Sequence, residues 1–270
     1  MKIGILYICT GKYDVFWNDF YTTAEQYLLP GMEKHYFVFT DSEQIHSTSH
    51  IHKIYQERLG WPKDTLMRFH LFLQNRHELQ KMDFLFFFNA NYTFTNKITG
   101  KEILPDSEDN FLTGQIHPVA YHKNRKDYDY ETNPLSTAFI AADRGDHYYA
   151  GGLIGGRADE FLRMSETIAK NIDEDFSKNI LAKWHDESHI NKYFSEHPPK
   201  RLDPGYCYPQ GWYLPFEQKT LLRDKSLLGG HAFLRGEGKE QENLLIRPGL
   251  FKVKLVLRAL LYKILGYSPL

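Results

Sequence analysis

Two asparagines follow an apolar run of strand length, at a point where a chain could bind a ligand. The run is Phe84–Phe88, and Asn89 and Asn91 come directly after it. Ligands of α/β proteins lie at the carboxyl ends of strands, and alternate residues of extended chain point to one side. The pair is therefore either two polar turn residues or two amides that face a diphosphate or a sugar. Aspartates here would bind a divalent cation, for which a neutral amide oxygen is a poor ligand.

A second stretch, KWHDESHINKYF, concentrates ionisable groups. On a helix, His185 and His189 would lie one turn apart on one face. That spacing allows a zinc hydrolase with Asp186 or Glu187 as base, although Asp186 stands where the H-E-x-x-H motif has glutamate. The acidic residues could instead simply begin a helix, where they favour its dipole. A third interpretation has Glu187 facing the reacting carbon of a sugar, where a carboxylate stabilises oxocarbenium charge or attacks it.

The elements that position these residues alternate between strands and helices. Strands are predicted at 2–8, 35–41, 84–88, 111–115 and 153–154. Helices are predicted at 18–29, 63–79 and 158–171. The first strand ends in CTGKY, and a strand followed by a glycine turn is a common opening of a nucleotide-binding unit. The alternation predicts an α/β fold with a largely parallel sheet.

The composition is that of a soluble globular protein. The chain has 270 residues, of which 42% are apolar and 25% charged, enough for one sizeable domain. A net charge of −1 gives no global field that would attract nucleic acid, so no nucleic-acid partner is expected. Of the two cysteines, Cys9 and Cys207, the first lies inside an apolar run, which argues against a disulfide framework and fits a reducing compartment.

The last segment, LFKVKLVLRALLYKILGY, is apolar and basic. At 100° per residue, Lys252 and Lys263 share one side, whereas Lys254 and Arg258 lie roughly opposite, so the charges form no single polar face. Four charges also argue against a membrane-spanning helix. The segment could dock on its own domain, or it could lie on an anionic membrane through residues 250–267.

Nine segments, in this order, resemble glycosyltransferase family 6, the retaining family that contains the blood-group A and B transferases and the α-1,3-galactosyltransferase. They are TGKYDVFWNDFYTTAEQYL, HYFVFTD, DTLMRF, FFFNANYTF, QIHPVAY, YETNP, DRGDHYYAGGLIGG, WHDESHINKYF and PGY. The WHDESH-x-NKY and YYxGG-x-x-GG blocks are the specific ones. The resemblance covers about three-quarters of the chain, from Lys2 to Tyr208. It implies a Rossmann-like, nucleotide-binding GT-A type fold with a mixed central sheet, and a UDP-sugar donor.

The resemblance also implies roles for individual residues. For the donor it implies contacts from Ile8, Cys9, Thr10, Tyr13, Arg68 and Asp186. Tyr13 would pack on the uracil, and Asp186 would bind a hydroxyl of the donor sugar. For the acceptor, His117 would contact the sugar and Trp184 would form an aromatic platform beneath it. Glu187 matches the glutamate thought to act as nucleophile or as stabiliser of the oxocarbenium-like state.

Ala150, Gly151 and Gly152 align with the segment that sets donor choice in this family. Glycine at the third position leaves room for a 2-acetamido group, whereas alanine there narrows the pocket toward galactose. Gly152 therefore favours GalNAc as the donor sugar, with a UDP-Gal-using α-1,3-galactosyltransferase of the same family as the alternative. Glycines that serve only the chain geometry are the other interpretation.

The chain departs from the family pattern at two points. Its metal-binding D-x-D motif is replaced by Asn89 and Asn91 around an alanine, and Pro209 stands where the blood-group enzymes have an acidic residue. The resemblance with this change implies that no divalent metal or other cofactor is needed, that the amides bind ribose or donor sugar, and that basic side chains neutralise the leaving diphosphate. Candidates are Arg68 and four C-terminal residues that the sequence does not rank, Lys219, Arg223, Lys225 and Arg235.

The resulting prediction is a metal-independent retaining α-1,3-N-acetylgalactosaminyltransferase. It would move GalNAc from UDP-GalNAc to a galactose-terminated, fucosylated glycan. Two alternatives belong to other classes: a zinc hydrolase at His185 and His189, or a carbohydrate-binding protein that has lost catalysis. One catalytic domain is expected at 1–235, with a donor lobe at about 1–95 and an acceptor lobe at about 96–235, followed by a polar linker and basic tail at 236–270. Without an N-terminal anchor sequence, a bacterial-type cytoplasmic protein is expected.

Overall fold

The computed structural model describes residues 1–105 and 110–238. The strands in these residues are β1 Lys2–Ile8, β2 Glu33–Thr40, β3 Ile51–Tyr55, β4 Phe84–Phe88, β5 Tyr92–Phe94, β6 Leu112–Ile116, β7 Tyr149–Arg157, β8 Lys200–Leu202 and β9 Thr220–Leu222. The α-helices are α1 Trp17–Tyr27, α2 Lys63–Leu66, α3 Arg68–Gln74, α4 Arg76–Leu79, α5 Gly100–Ile103, α6 Ala158–Ser177, α7 Asp186–Glu196 and α8 Gly230–Leu234. Shorter 3-10 helices lie at Gly11–Phe16, Arg125–Asp127, Pro204–Cys207 and Lys225–Leu228.

Seven strands form one mixed central sheet in the order β3-β2-β1-β4-β7-β6-β8. The first four of these strands run parallel to one another. β7 runs antiparallel to both of its neighbours, β4 and β6, and β5 and β9 form a separate antiparallel pair. The predicted α/β class and the mixed central sheet are therefore confirmed.

The two central parallel strands, β1 and β4, are almost entirely apolar because elements cover both faces of the sheet there. Alternation along β4 sends Phe86 and Phe88 to the face that packs against α1, and Phe87 to the face that packs against α3 and α6. α6 presents apolar residues at spacings of three and four, including Phe161 and Ile168, to the same core. The end of β4 is thus held rigidly from both sides, which fixes the backbone that carries Asn89.

The glycine-rich stretch before α6 is itself a strand, longer than the two residues predicted. β7 pairs with β4 so that Gly155 lies opposite Phe86, and a Cβ atom on Gly155 would come within 2.1 Å of the Phe86 ring. Only glycine allows this close approach of backbone to an aromatic ring. Glycine has a low intrinsic preference for strands, so packing against β4 overrides local propensity here.

One helix prediction needs correction. The helix expected over 63–79 is divided into α2, α3 and α4, with breaks at Met67 and Asn75, and Arg68 begins α3. The side chain of Asn75 donates to the carbonyl oxygen of Leu71 at 2.9 Å, a local bond typical of residues that end helices. The Arg68 side chain at the start of α3 reaches the sheet, where it donates to the carbonyl oxygen of Gly151 in β7.

Within residues 1–105 and 110–238, no helix combines the length and the apolar character that a bilayer crossing requires. The predicted polar linker lies outside the described residues except for 236–238. The basic tail and its predicted membrane contact at 250–267 lie wholly outside them. The division into a donor and an acceptor lobe stays a prediction.

Candidate active site

A pocket of about 270 Å³ lies at the carboxyl ends of β1 and β4. Its position agrees with the general rule for ligand sites in α/β sheets. Its lining residues come from the first strand, the 58–68 region, the end of β4 and the C-terminal part of the described chain. They are Ile8, Thr10, Tyr13, Arg58, Trp61, Asp64, Thr65, Arg68, Phe87, Asn89, Ala90, Lys225, His231 and Arg235.

The pocket is strongly basic. Four of its lining residues carry Lys or Arg charges, against the single carboxylate of Asp64. Burial and the neighbouring charge of Arg235 lower the pKa of Lys225 to about 8, so its ammonium group stays protonated below that pH. Arg58 donates to the backbone carbonyl of Arg235, and the Arg235 guanidinium lies 4.0 Å from the centre of the Trp61 ring. The arrangement fits a polyanion such as a diphosphate.

The structure separates the four C-terminal basic residues that the sequence left unranked. Lys225 and Arg235 line the pocket. Lys219 forms ion pairs with Glu102 at 2.9 Å and with Glu217. Arg223 pairs with an α1 carboxylate, Asp19, at 2.6 Å. The last two cations are neutralised by neighbouring carboxylates away from the pocket lining.

A larger cavity of about 670 Å³ lies at the other end of β4. Its lining includes Asp83, Phe84, Arg157 and Asp159, where β4 begins and β7 ends. This end of the strands is not where parallel sheets bind ligands, and the cavity is lined by two carboxylates and one cation rather than by a set of cations. The basic pocket is therefore the stronger candidate for the active site.

The two asparagines do not point to one side, because β4 ends at Phe88 and the alternation stops there. Asn89 lines the pocket. Asn91 is buried, and its Nδ2 donates to the carbonyl oxygen of Arg223 at 2.7 Å. Its Oδ1 has no hydrogen-bond partner among the described residues. One neutral oxygen of this kind, beside a basic pocket, does not fit a hard divalent cation.

Of the residues at the end of the first strand that are predicted to bind uridine, three lie in the pocket lining and one lies in the core. Ile8, Thr10 and Tyr13 line the pocket, and the Lys225 ammonium lies 5.1 Å from the centre of the Tyr13 ring. The side chain of Cys9 is fully buried in the core on the other face of the sheet. A contact from Cys9 to a ligand would therefore come from its backbone.

Arg68 and Asp186 form a buried ion pair at 2.5 Å. Arg68 also donates to the carbonyl oxygen of Gly151 at 2.9 Å, and its guanidinium lies 4.4 Å from the centre of the Phe87 ring. Much of its positive charge is therefore balanced inside the protein. Arg68 joins the pocket to the start of α7 and holds Asp186 in place.

Glu187 lies in the first turn of α7, and both of its carboxyl oxygens are occupied. Oε1 accepts from the Tyr148 hydroxyl at 2.8 Å, and Oε2 accepts from the Gly151 backbone N–H at 2.8 Å. Burial raises the pKa of Glu187 to about 7, although both hydrogen bonds and the charge of Arg68 oppose the shift. A carboxylate held in this way can stabilise a cationic centre or attack it.

The predicted zinc pair is not formed. α7 begins at Asp186, and His185 precedes it with φ 53°, so the two histidines do not share a helix face. His185 packs edge-on against Trp61, with ring centres 4.8 Å apart, whereas His189 is buried and lies 3.8 Å from Asp175. In the part of the chain that the structure describes, no three His, Cys, Asp or Glu side chains are grouped as metal ligands.

The two residues predicted to bind the acceptor, His117 and Trp184, lie near Glu187. His117 offers a hydrogen-bond donor, and Trp184 offers an exposed aromatic ring. His117 accepts from the backbone N–H of Val119 through Nδ1, and burial lowers its pKa to about 4. The neutral ring therefore carries its proton on Nε2, which is left as a donor. Its ring centre lies 5.8 Å from that of Tyr148. The side chain of Trp184 is 47% exposed, as an aromatic platform for a sugar requires.

The donor-choice segment lies between the pocket and Glu187. A Cβ atom added to Gly152 would lie 3.0 Å from Asn89 Nδ2 and 3.1 Å from the Tyr92 hydroxyl. One added to Gly151 would lie 3.0 Å from Arg68 Nη2. Ala150 is buried in β7 and pairs with Gln115 of β6. Both glycines therefore keep the space between the end of β4 and α7 open.

Sequence reasoning did not single out four residues of this region, Arg58, Trp61, Asp64 and Tyr148. The first three come from RLGWPKD, whose mixture of charged and aromatic residues is a weak signal by itself. Arg58 meets Arg235 across 177 positions of the chain, a separation that local patterns do not reveal. Tyr148 lies inside the specific YYxGG-x-x-GG block, so the motif contained the signal.

Comparisons with known proteins give matches over most of the chain. Glycosyltransferase family 6 matches residues 1–225. The chain is 34% identical to the O-antigen biosynthesis glycosyltransferase WbnI of Escherichia coli over 83% of this chain and 95% of WbnI. It is 33% identical to the Histo-blood group ABO system transferase 1 of Rattus norvegicus over 78% of this chain and 62% of that protein. It is 30% identical to the Globoside alpha-1,3-N-acetylgalactosaminyltransferase 1 of Homo sapiens over 77% of this chain and 61% of that protein.

Proposed function

Since this chain belongs to glycosyltransferase family 6 and is a retaining UDP-sugar glycosyltransferase, we propose that it transfers GalNAc from UDP-GalNAc, in α-1,3 linkage and without a divalent cation, to a galactose-terminated, fucosylated glycan. The α-1,3 linkage and the GalNAc donor are supported by the name of the human relative, Globoside alpha-1,3-N-acetylgalactosaminyltransferase 1. The galactose-terminated, fucosylated acceptor is supported by the similarity to a blood-group transferase. That relative and the human one are longer proteins, and the chain spans about three-fifths of each.

One observation carries the metal-independent part of the proposal. The pocket that Asn89 lines contains the charges of Lys225 and Arg235, together with Arg58 and Arg68. A leaving diphosphate needs its negative charge neutralised. These side chains can supply the positive charge that a dication held by two carboxylates would otherwise supply. The amide of Asn89 faces the same pocket and is placed to bind ribose or donor sugar.

The proposed mechanism assigns each group one task. The pocket cations stabilise the UDP that departs, with Lys225 and Arg235 free of the internal ion pair that occupies Arg68. Glu187 supports the cationic anomeric carbon, either as a nucleophile or as an electrostatic stabiliser during attack on the same face. His117 and Trp184 bind the acceptor sugar, which contributes the attacking hydroxyl.

A transfer assay with chelator tests the proposal directly. We expect equal rates of product formation from UDP-GalNAc with excess EDTA and with added Mn²⁺, measured on fucosylated and on plain lactose. Loss of turnover in EDTA with recovery on manganese would contradict the metal-independent mechanism.

The choice of donor is tested by Gly152→Ala. The added methyl group would press on Asn89 and Tyr92 and reduce the space proposed for the 2-acetamido group. Discrimination by steric exclusion of a few atoms is worth about 1–3 kcal/mol, so we expect the ratio of kcat/KM for UDP-GalNAc to that for UDP-Gal to fall by about tenfold. An unchanged ratio would remove Gly152 from the basis of donor selection.

A further inference from the structure

The two donors that hold the Glu187 carboxyl group differ in how they are fixed. The Gly151 N–H, which binds Oε2, belongs to the backbone of β7 and is positioned by the central sheet. The Tyr148 hydroxyl, which binds Oε1, stands at the end of a long side chain. Its position therefore depends on what packs around the Tyr148 ring.

That packing comes from residues 117–148, which we call the 117–148 loop. The Tyr148 ring is only 4% exposed and forms a small apolar cluster with Ala120, Tyr130 and Ile140. The ring centres of Tyr148 and Tyr130 lie 5.5 Å apart. The cluster is separate from the two core clusters of the sheet, so it forms only when the loop is folded.

Two buried carboxylates anchor the 117–148 loop to the helices around Glu187. Glu131 accepts from the backbone N–H of Lys183, four residues before Glu187, at 2.6 Å. Asp175, in α6, accepts from the Ser136 hydroxyl at 2.6 Å and from the Thr137 N–H at 2.7 Å. Buried, fully partnered carboxylates of this kind favour one arrangement of the chain. The loop is therefore held in register with α7.

We propose, on the basis of the transferase function proposed above, that Tyr148 is the positioning residue for Glu187. Its hydroxyl fixes the direction of the carboxyl group, and its packing makes that alignment depend on the folded 117–148 loop. With Oε2 alone bound, the carboxyl group could turn about its terminal bond. A displacement of about 1 Å at a reacting group can cost about a hundredfold in rate, so a hydroxyl that touches no substrate can still control turnover.

The same hydroxyl affects the charge of Glu187. The groups that interact electrostatically with this carboxyl are Arg68, Tyr92, Tyr148, Asp186 and Cys207. Burial keeps the pKa values of the Tyr92 and Cys207 side chains raised, so both are neutral near pH 7. Removing only the Tyr148 hydroxyl takes away one donor that favours the ionised form, and the pKa of Glu187 then rises.

The test is Tyr148→Phe, which keeps the ring and deletes the hydroxyl. We expect kcat to fall by about tenfold or more, as for the loss of one hydrogen bond to a charged group. We expect the acidic limb of the kcat profile to move to higher pH, while the affinity for UDP, measured by calorimetry, stays at the wild-type value. A wild-type kcat, or a lower kcat with an unmoved acidic limb, would overturn the proposal.

A matched control is available in β2, three strands away from β7 in the sheet. Tyr36 is buried and donates its hydroxyl to a Glu25 carboxyl oxygen at 2.6 Å, so Tyr36→Phe removes the same kind of bond away from the site. This variant is expected to keep the wild-type kcat and pH profile, and equal effects of both variants would also overturn the proposal. Absence of transfer by the wild-type protein would instead contradict the function on which the inference rests.

Discussion

Replacing Glu187 by glutamine is expected to lower kcat by about 100- to 1,000-fold, the range typical for losing one group that stabilises transition-state charge. Glutamine keeps the size of the side chain but loses the negative charge that supports or attacks the anomeric carbon. The affinity for UDP is expected to change little, because Glu187 does not line the basic pocket. Transfer assays at saturating substrate and calorimetry with UDP measure the two quantities separately.

The pH profile adds a second measurement of the same variant. Burial raises the pKa of Glu187 to about 7, and the ionised form is the active one. Wild-type activity should therefore decrease as the pH falls through about 7, whereas the residual activity of the glutamine variant should lack this limb. Glu102→Gln is a suitable control, because Glu102 interacts with Thr99 and Lys219 outside the pocket. Near-normal turnover by Glu187→Gln would remove Glu187 from the mechanism.

The second large effect is expected from joint replacement of Lys225 and Arg235 by alanine. Two unit charges about 4 Å apart interact by roughly 4 kcal/mol at an effective dielectric constant near 20, which corresponds to roughly a thousandfold in rate. Both side chains are half-buried, so solvent screening reduces each contribution. We expect a combined loss of about 100- to 1,000-fold in kcat/KM for the UDP-sugar.

Matched controls for this variant are Lys219→Ala and Arg223→Ala, which remove cations that are already paired with Glu102 and Asp19. Each control should reduce kcat/KM less than the replacement of Lys225 or of Arg235 by alanine. Because burial and Arg235 lower the pKa of Lys225 to about 8, kcat/KM of the wild-type enzyme should also decline as the pH rises through about 8. Equal losses in pocket and control variants would contradict the assignment of the leaving-group charge to Lys225 and Arg235.

Much of the fold could be predicted from the sequence because its strands are apolar and its motifs are specific. β1 and β4 were predicted with the bounds that they have, and the family match with the mixed sheet confirms the GT-A type fold. Most of β7 was not predicted as a strand, because its glycines are required by tertiary packing, in which the Phe86 ring lies close to Gly155. α7 begins at Asp186, as the interpretation of the acidic residues as a helix start has it, whereas the zinc interpretation is wrong because His185 takes a positive φ that the sequence does not reveal.

The site was harder to predict than the fold, since its geometry depends on contacts between distant parts of the chain. The placement of Tyr13, Arg68 and Asn89 around one pocket agrees with the sequence analysis. The separation of Asn91 from the pocket follows from its bond to the backbone of Arg223, 132 positions away. The same kind of long-range packing, which leaves no local pattern, brings Lys225 to the pocket lining.

The short segment from Tyr148 to Gly152 serves several neighbours at once. Its tyrosine and the N–H of Gly151 hold Glu187, the carbonyl of Gly151 binds Arg68, and Gly152 borders Asn89. Under the proposed function, substitutions at these five consecutive positions are therefore expected to change sugar selectivity and reactivity together. Divergence toward a new donor should proceed through epistatic pairs, in which a substitution in this segment survives only beside a compensating one at α3, α7 or the end of β4.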